Sequence, residues 1–465
     1  MARVAIDKFA GLMPRIHPTL LPDGCAVRAH NCRLKDGKLC PVRQPSIVPA
    51  SGVRMENGLA RIADARSIFL WRSGGGAEFL AWPGLVTVAR GNIADDGLNR
   101  IFVTGDTGIG GNGLNLPCVY MNNGVSVTRH PLTKTPLPAP VVARTDPRPL
   151  DDLNLRYTFF YQTWVDEFGY ESGMSPPSEN TEGGDNPDGD FIYNNGDTVT
   201  VDEMAADESA MFRRIYKVVT GTETESVMFV AEQSKSGVSG FQKLTFRVND
   251  EDATGVVPVF QSPPDDLDLM MPVPGGFYAG VSRSMRRTLM FSEPDVPTSW
   301  PDAYMLDVDD DIAGIAVAGN TVFVLTDGAP WAVSGTSPGT MVRTAIPSPQ
   351  ACVSRRGICV MENGVFYPSH DGIVMLSPSL GAEARVITEK HWSKREWDAL
   401  NPSSCVMAPY DSALHAWFRT RQGVTIGYII DLREGLEAIT THDEVARAVC
   451  YDAADDALYY VREVA

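Results

Sequence analysis

Four side chains near the start of the chain, Cys25, His30, Cys32 and Cys40, are of the types that bind zinc. No Cys-x-x-Cys pair occurs among them, however, and their spacings match no usual ligand pattern. Two acidic stretches, Asp185-Asn-Pro-Asp-Gly-Asp and the run from Asp307 to Asp311, lack the regular oxygen spacing and distal Glu of a calcium loop. The Gly-x-Gly-Gly-x-Gly segment ending at Gly113 has no strand-then-helix context to make it a phosphate cradle. No Gly-x-Ser-x-Gly elbow, His-Glu-x-x-His pair or P-loop occurs, and Ser369-His-Asp-Gly lacks the further glycine and aromatic of a sialidase Asp box. Paired carboxylates of the glycosidase kind converge only in space and cannot be read from sequence. The expectation is a protein with no catalytic residue, cofactor or metal, and not an enzyme.

The elements that would position any site are short strands joined by tight turns. From Phe291 to Leu376 two similar hairpin units follow each other. Ile312 to Val317 turns at Gly319-Asn320 into Thr321 to Thr326, then at Asp327-Gly328 toward Trp331 to Ser334. Ile358 to Met361 turns at Asn363-Gly364 into Val365 to Pro368, then at Asp371-Gly372 into Ile373 to Leu376. Asn-Gly and Asp-Gly between β-branched residues are strong hairpin signals, because type I′ turns need positive φ at both central positions. Corresponding turns lie about 44 residues apart, within the roughly 40 to 50 residues of a four-stranded propeller blade.

A chain of 465 residues exceeds one hydrophobic core. Its 42 glycines and 33 prolines suit many strands and turns rather than long helices. The net charge of −18 opposes a phosphate-neutralising surface, since grip on a nucleic-acid backbone needs clustered Lys and Arg. Eight cysteines are too sparse for a disulfide scaffold and mostly sit in apolar runs, so free thiols in a reducing cytosol are expected. No signal peptide opens the chain, and no apolar run approaches the ~18 residues of a membrane span.

The predicted fold class is all-β: a β-propeller with an inserted fibronectin/immunoglobulin-like β-sandwich and an extended N-terminal arm. Residues 1–50 form the arm, broken by Pro14, Pro18 and Pro22, with a short helical turn around Ala26 to Asn31 and a hairpin tip at Asp36-Gly37. Residues 51–135 carry the first blades, including a meander of Ala65 to Trp71, Glu78 to Trp82 and Val86 to Arg90. Residues 136–262 form the sandwich, in which Tyr157 to Val165 is one long strand and Trp164 and Tyr216 are core. Residues 263–465 supply the remaining blades. The chain ends on a partial blade at Cys450 to Val461, as a ring closed by strands from both termini would, and helix is expected only near His391 to Leu400.

Phe9-x-Gly-x-x-Pro-Arg, Leu20-Leu-Pro-Asp-Gly, Ala29-x-Asn31 and Asp36-Gly-Lys-Leu-x-Pro41 resemble the N-terminal arm of bacteriophage tail nozzle (tail tubular) proteins of short-tailed phages. Phe291-Ser-Glu-Pro, Trp300-Pro, Val324-Leu-Thr-Asp-Gly-x-Pro330, Val333-Ser-Gly, Gln350-Ala-Cys-Val-Ser-Arg and Ser369-x-Asp-Gly resemble their propeller portion. Tyr161 to Ser178 with Arg214-Ile-Tyr-Lys is similar to a fibronectin-like insertion found there. The resemblance implies a virion structural protein, made in the host cytoplasm, that forms a homohexameric tail tube. Such a tube docks on the head–tail adaptor ring, carries tail fibres, and passes double-stranded DNA without specific binding.

A protein of another class fits the same strands: a receptor- or glycan-binding propeller, with or without glycoside hydrolase activity. Under the tail-tube reading, Phe9, Leu12 and Leu20 of the arm are expected to bury themselves in assembly contacts, because exposed apolar surface costs about 25 cal/mol per Å². Six copies would carry −108. Asp265, Asp266, Asp268, Asp307, Asp309, Asp310 and Asp311 are the expected acidic lining along which a polyanion slides.

Overall fold

The computed structural model describes residues 9–35, 38–49, 52–73, 76–92, 97–108, 115–122, 126–145, 149–180, 190–206, 209–220, 225–237, 240–249, 254–256, 260–362, 364–377, 383–432 and 438–463. The tips at Asp36-Gly37, Asn123-Gly124 and Asn363, most of the glycine-rich segment, and the Asp185 loop up to Gly189 lie outside them. So do Arg3 and the rest of the first eight residues. The chain divides into two compact units, Met1–Pro131 with Asp265–Pro294 and Met305–Ala465, and Leu132–Pro264 with Asp295–Tyr304.

The first unit is a β-propeller of successive antiparallel meanders. Seven leading strands are numbered here in chain order: β1 Ser67–Ser73, β2 Val86–Arg90, β3 Leu267–Val273, β4 Ile312–Ala318, β5 Cys359–Met361, β6 Val406–Tyr410 and β7 Ala446–Asp452. Those from β2 to β6 each begin a four-strand meander, β1 pairs with Gly76–Trp82, and β7 pairs with Ala457–Arg462. The strands next to the leading ones read as continuous apolar runs, such as Val322-Phe-Val-Leu325 and Val365-Phe-Tyr367, because neighbouring sheets cover both of their faces. Phe323 and Leu325 pack with Val365, Tyr367 and Val374 between the fourth and fifth sheets. Phe366 and Ile373 pack with Leu414, Phe418 and Ile430 between the fifth and sixth. The seventh sheet packs on the first through Ala448 and Val461 against Ala65 and Ala81.

Three expectations are corrected. Val86–Arg90 does not continue the preceding meander; it pairs with Ile101–Gly105 and opens a new sheet, while Val53–Met55 joins Gly76–Trp82 in parallel. The last two strands pair with each other, and no described strand from the N-terminal arm joins them. Ala26 lies in a strand rather than a helical turn, because Cys25–Ala26 runs parallel to Gly11–Leu12. The single α-helix of the described residues is Lys394–Leu400. Ser393 caps it, accepting from the Glu396 amide while the Glu396 carboxylate accepts from the Ser393 amide.

One hairpin turn is made without glycine. Tyr410 pairs with Ala413, and the two residues between them, Asp411 and Ser412, have φ of +47° and +59°. The Asp411 carboxylate lies 2.6 Å from the Arg33 guanidinium, which holds the aspartate in place, whereas Ser412 is exposed. Ser412→Gly should therefore stabilise the protein by about 1 kcal/mol, since glycine meets no Cβ penalty in the left-handed region. Denaturant melts check this, and a lower midpoint would contradict it.

The second unit is a β-sandwich. One sheet orders Glu179–Asn180, Val141–Arg144, Asp197–Val201 and Leu244–Val248, and the other orders Phe160–Asp166, Ala210–Thr220, Glu225–Ser234 and Thr254–Val256. Val142, Phe160, Phe191, Val199, Ile215 and Val248 fill the space between them. Its strands pair only with one another among the described residues. The expected single strand from Tyr157 to Val165 is two: Leu155–Thr158 pairs with Phe191–Asn194, and Phe160–Asp166 with Ala210–Thr220. Trp164 and Tyr216 are core, at 5% and 1% exposure.

Candidate functional site

The leading strands of the first unit surround a cavity of about 390 Å³. Residues of all seven contribute to its wall, which is mostly apolar, as with Ile68, Ile315 and Val449. Polar groups enter mainly as Arg66, Arg355 and Arg356. Arg66 directly precedes β1. The other two belong to a single 3₁₀ turn, Arg355–Gly357, ahead of β5. Gly357 is required in that turn, because a Cβ there would come within 2.6 Å of the Pro368 ring.

Arg355 is committed within the fold. Its two terminal nitrogens donate to Asp268 at 2.7 and 2.8 Å, and one of them donates to the Thr87 hydroxyl at 2.7 Å. This fork ties β5 to β3 and β2 and neutralises Asp268 in place. Arg356 differs: its guanidinium donates to the carbonyl of Arg447 on β7 and, among the described residues, meets no carboxylate. Burial, with Arg66 and Arg447 nearby, pulls Arg356 down to about 10, so it is still a cation at neutral pH.

The arm lies on the outer edge of the sixth sheet. Gly11 pairs in parallel with Ile439, and a Cβ on Gly11 would fall 2.4 Å from the Ile439 carbonyl oxygen, so only glycine allows this approach. Farther along, His30 bridges to Thr441 and bonds Asp443 at 2.8 Å, while the Asn31 amide donates to Asp443 at 2.6 Å. Phe9 and Leu12 are half-buried, and Leu20 is 74% exposed in the single chain. Cys25, Cys32 and Cys40 are free thiols near this edge. Among the described residues no three His, Cys, Asp or Glu side chains gather as a metal site.

The seven acidic residues singled out in the sequence sit in different settings. Asp268 is 8% exposed and clamped by Arg355. Burial raises the pKa of Asp266, but bonds accepted from the Ser282 hydroxyl at 2.5 Å and the Ser284 amide at 2.7 Å, with Arg283 nearby, together outweigh it and leave the pKa lowered. Asp307 accepts from Thr288, Asp310 from the Ala329 amide, and Asp311 from Arg287. Asp265, Asp307 and Asp309 are exposed. The arginines around the cavity are not marked out by the sequence; the available signal was an Arg-Arg pair just ahead of a strand, which Arg286-Arg287 ahead of Thr288–Phe291 shares.

No family profile matches the chain, and no curated protein matches it. Among solved structures, apo AztD from Citrobacter koseri is similar at 8% identity over 65% of this chain and 76% of that one, with a TM-score of 0.30. A Mycobacterium tuberculosis puromycin-hydrolyzing peptidase is similar at 11% identity over 83% of this chain and 54% of that one, also with a TM-score of 0.30. Likeness at this level carries nothing about activity.

Proposed function

We propose that the protein is a structural subunit of a virion tail, of the tail-nozzle kind, assembling as a homohexameric tube that meets the head–tail adaptor ring and tail fibres and lets double-stranded DNA pass. The observation that supports this most is the arm. It has no core of its own, lies along the edge of one sheet, and presents Leu20, Val27, Leu39 and Ile47 to solvent, the last at 97% exposure. Apolar side chains concentrated on one extended segment mark a surface that another chain covers. In a tube of six, an acidic inner wall would draw on exposed carboxylates such as Asp265, Asp307 and Asp309, since each phosphate contact on a basic wall would slow a sliding duplex.

Light scattering on the eluting full-length protein, with negative-stain imaging, tests this reading. Rings of six are expected, and deletion of residues 1–22 should leave the propeller folded by circular dichroism while abolishing the rings. Unchanged assembly of the truncated chain would remove the arm's role. A monodisperse monomer would instead favour the second reading, a receptor- or glycan-binding propeller with or without glycoside hydrolase activity.

A further inference from the structure

Three cations, Arg66, Arg356 and Arg447, converge where β1, β5 and β7 begin, in a protein whose net charge is −18. The carboxylates around them are shared with other partners: Asp64 pairs with Arg61 at 2.9 Å and acts on Arg447 only through space, Glu463 pairs with Arg419 at 3.5 Å and acts on Arg356 only through space, and Asp268 pairs with Arg355 at 2.7 Å. Among the described residues Arg66, Arg356 and Arg447 form no ion pair. Guanidinium groups held close together repel one another, and partial burial, as at Arg356 and Arg447, raises the cost of leaving them without a counter-ion, whereas Arg66 is exposed. Arg66 and Arg356 both open onto the cavity of about 390 Å³, a volume within the roughly 300 to 1,000 Å³ of small-molecule sites.

We propose that this part of the cavity binds a phosphate-type oxyanion, either the free ion or the phosphoryl group of a small molecule, held by Arg66 and Arg356 with the charge of Arg447 behind them. Planar guanidinium forks match tetrahedral oxyanions through paired N–H donors, and a dianion offsets more than one of the three cations. The Arg355 fork is not part of the grip, because Asp268 meets its charge and Asp268 and Thr87 take three of its N–H groups. Its role is to hold the 3₁₀ turn so that the adjacent Arg356 enters the cavity. The site is independent of the assembly reading: it lies within one chain and would bind in a monomer or a ring.

The test uses the full-length chain, with inorganic phosphate and glycerol 3-phosphate titrated at constant ionic strength, read by thermal melting and calorimetry. A saturable rise in melting temperature is expected. Arg66→Gln and Arg356→Gln should each weaken binding by about 10- to 100-fold, the loss expected for charge-assisted hydrogen bonds to an ionised group. Tighter binding of the ester would identify a phosphorylated small molecule as the occupant, and equal binding would identify the free ion. No heat and no shift, or a non-saturating rise of the same size in wild type and Arg66→Gln, would overturn the site; the second is general salt stabilisation. Arg66 is exposed, so its variant remains a fair test if Arg356→Gln fails to fold.

Discussion

Asp166→Ala should destabilise the sandwich unit by about 3–5 kcal/mol, the cost of removing one partner from a buried ion pair. Lys134 and Asp166 are 7% and 4% exposed and lie 2.6 Å apart. The ammonium also sits 4.4 Å from the centre of the Trp164 ring, whose π face cannot replace a carboxylate. The other carboxylate oxygen accepts from the Phe168 and Tyr170 amides, both at 2.9 Å, and so shapes the turn after Phe160–Asp166. Alanine therefore strands a buried cation and two amides together. Urea denaturation followed by circular dichroism and tryptophan fluorescence measures the loss. The double replacement Lys134→Met, Asp166→Leu should recover a large part of it, because an apolar pair leaves no charge uncompensated. A midpoint within error of wild type for Asp166→Ala would show that water reaches Lys134.

Acidification should loosen the sixth sheet and the arm attached to it. His415 is buried among Tyr410, Trp417 and His442, and burial holds it down to about 3, with His442 and Arg33 adding to the effect and Asp411 opposing it. Burial likewise holds His442 down to about 4, aided by His30 and opposed by Glu444 and Asp443. Both folded values lie below the unfolded value of about 6.5, so the unfolded chain binds more protons. Stability is then fully present above pH ~6.5 and falls as the pH drops through 6.5 toward 4 and then 3, by an amount on the order of several kcal/mol. Melting temperature measured across this window should decline steeply for the wild type and less steeply for His415→Leu. Superimposable profiles would exclude these histidines as the cause. Amide exchange in Ala438–His442 should rise first, since that strand carries both His442 and the arm.

The strands buried on both faces were legible in the sequence because their composition does not depend on which neighbour covers them. Val322 to Leu325, Val365 to Pro368 and Leu414 to Arg419 all emerge within a residue or two, as does the helix whose Ser393 and Glu396 form a local cap. Leading strand β3 was not legible. Leu269 has φ +57° and the register shifts between Asp268 and Met271, so the alternation that marks a strand is lost where the Arg355 fork enters. Asp268 consequently reads as one of several acids near Asp265, and only the fold shows it buried and paired.

By itself the sequence determined the strand-and-turn texture, the blade period and the break of texture that marks the sandwich, since turns and apolar runs are encoded by neighbours along the chain. Tertiary structure alone decided which hairpins share a sheet, as with Val86–Arg90, and where the arm lies. Gly11 meets Ile439 across more than four hundred residues, a parallel pairing that leaves no local mark on either segment. It also decided the cavity. Arg66, Arg356 and Arg447 are separated by most of the chain, and they converge because stacked sheets set the starts of their leading strands around one space, a coincidence of position that spacing along the sequence does not record.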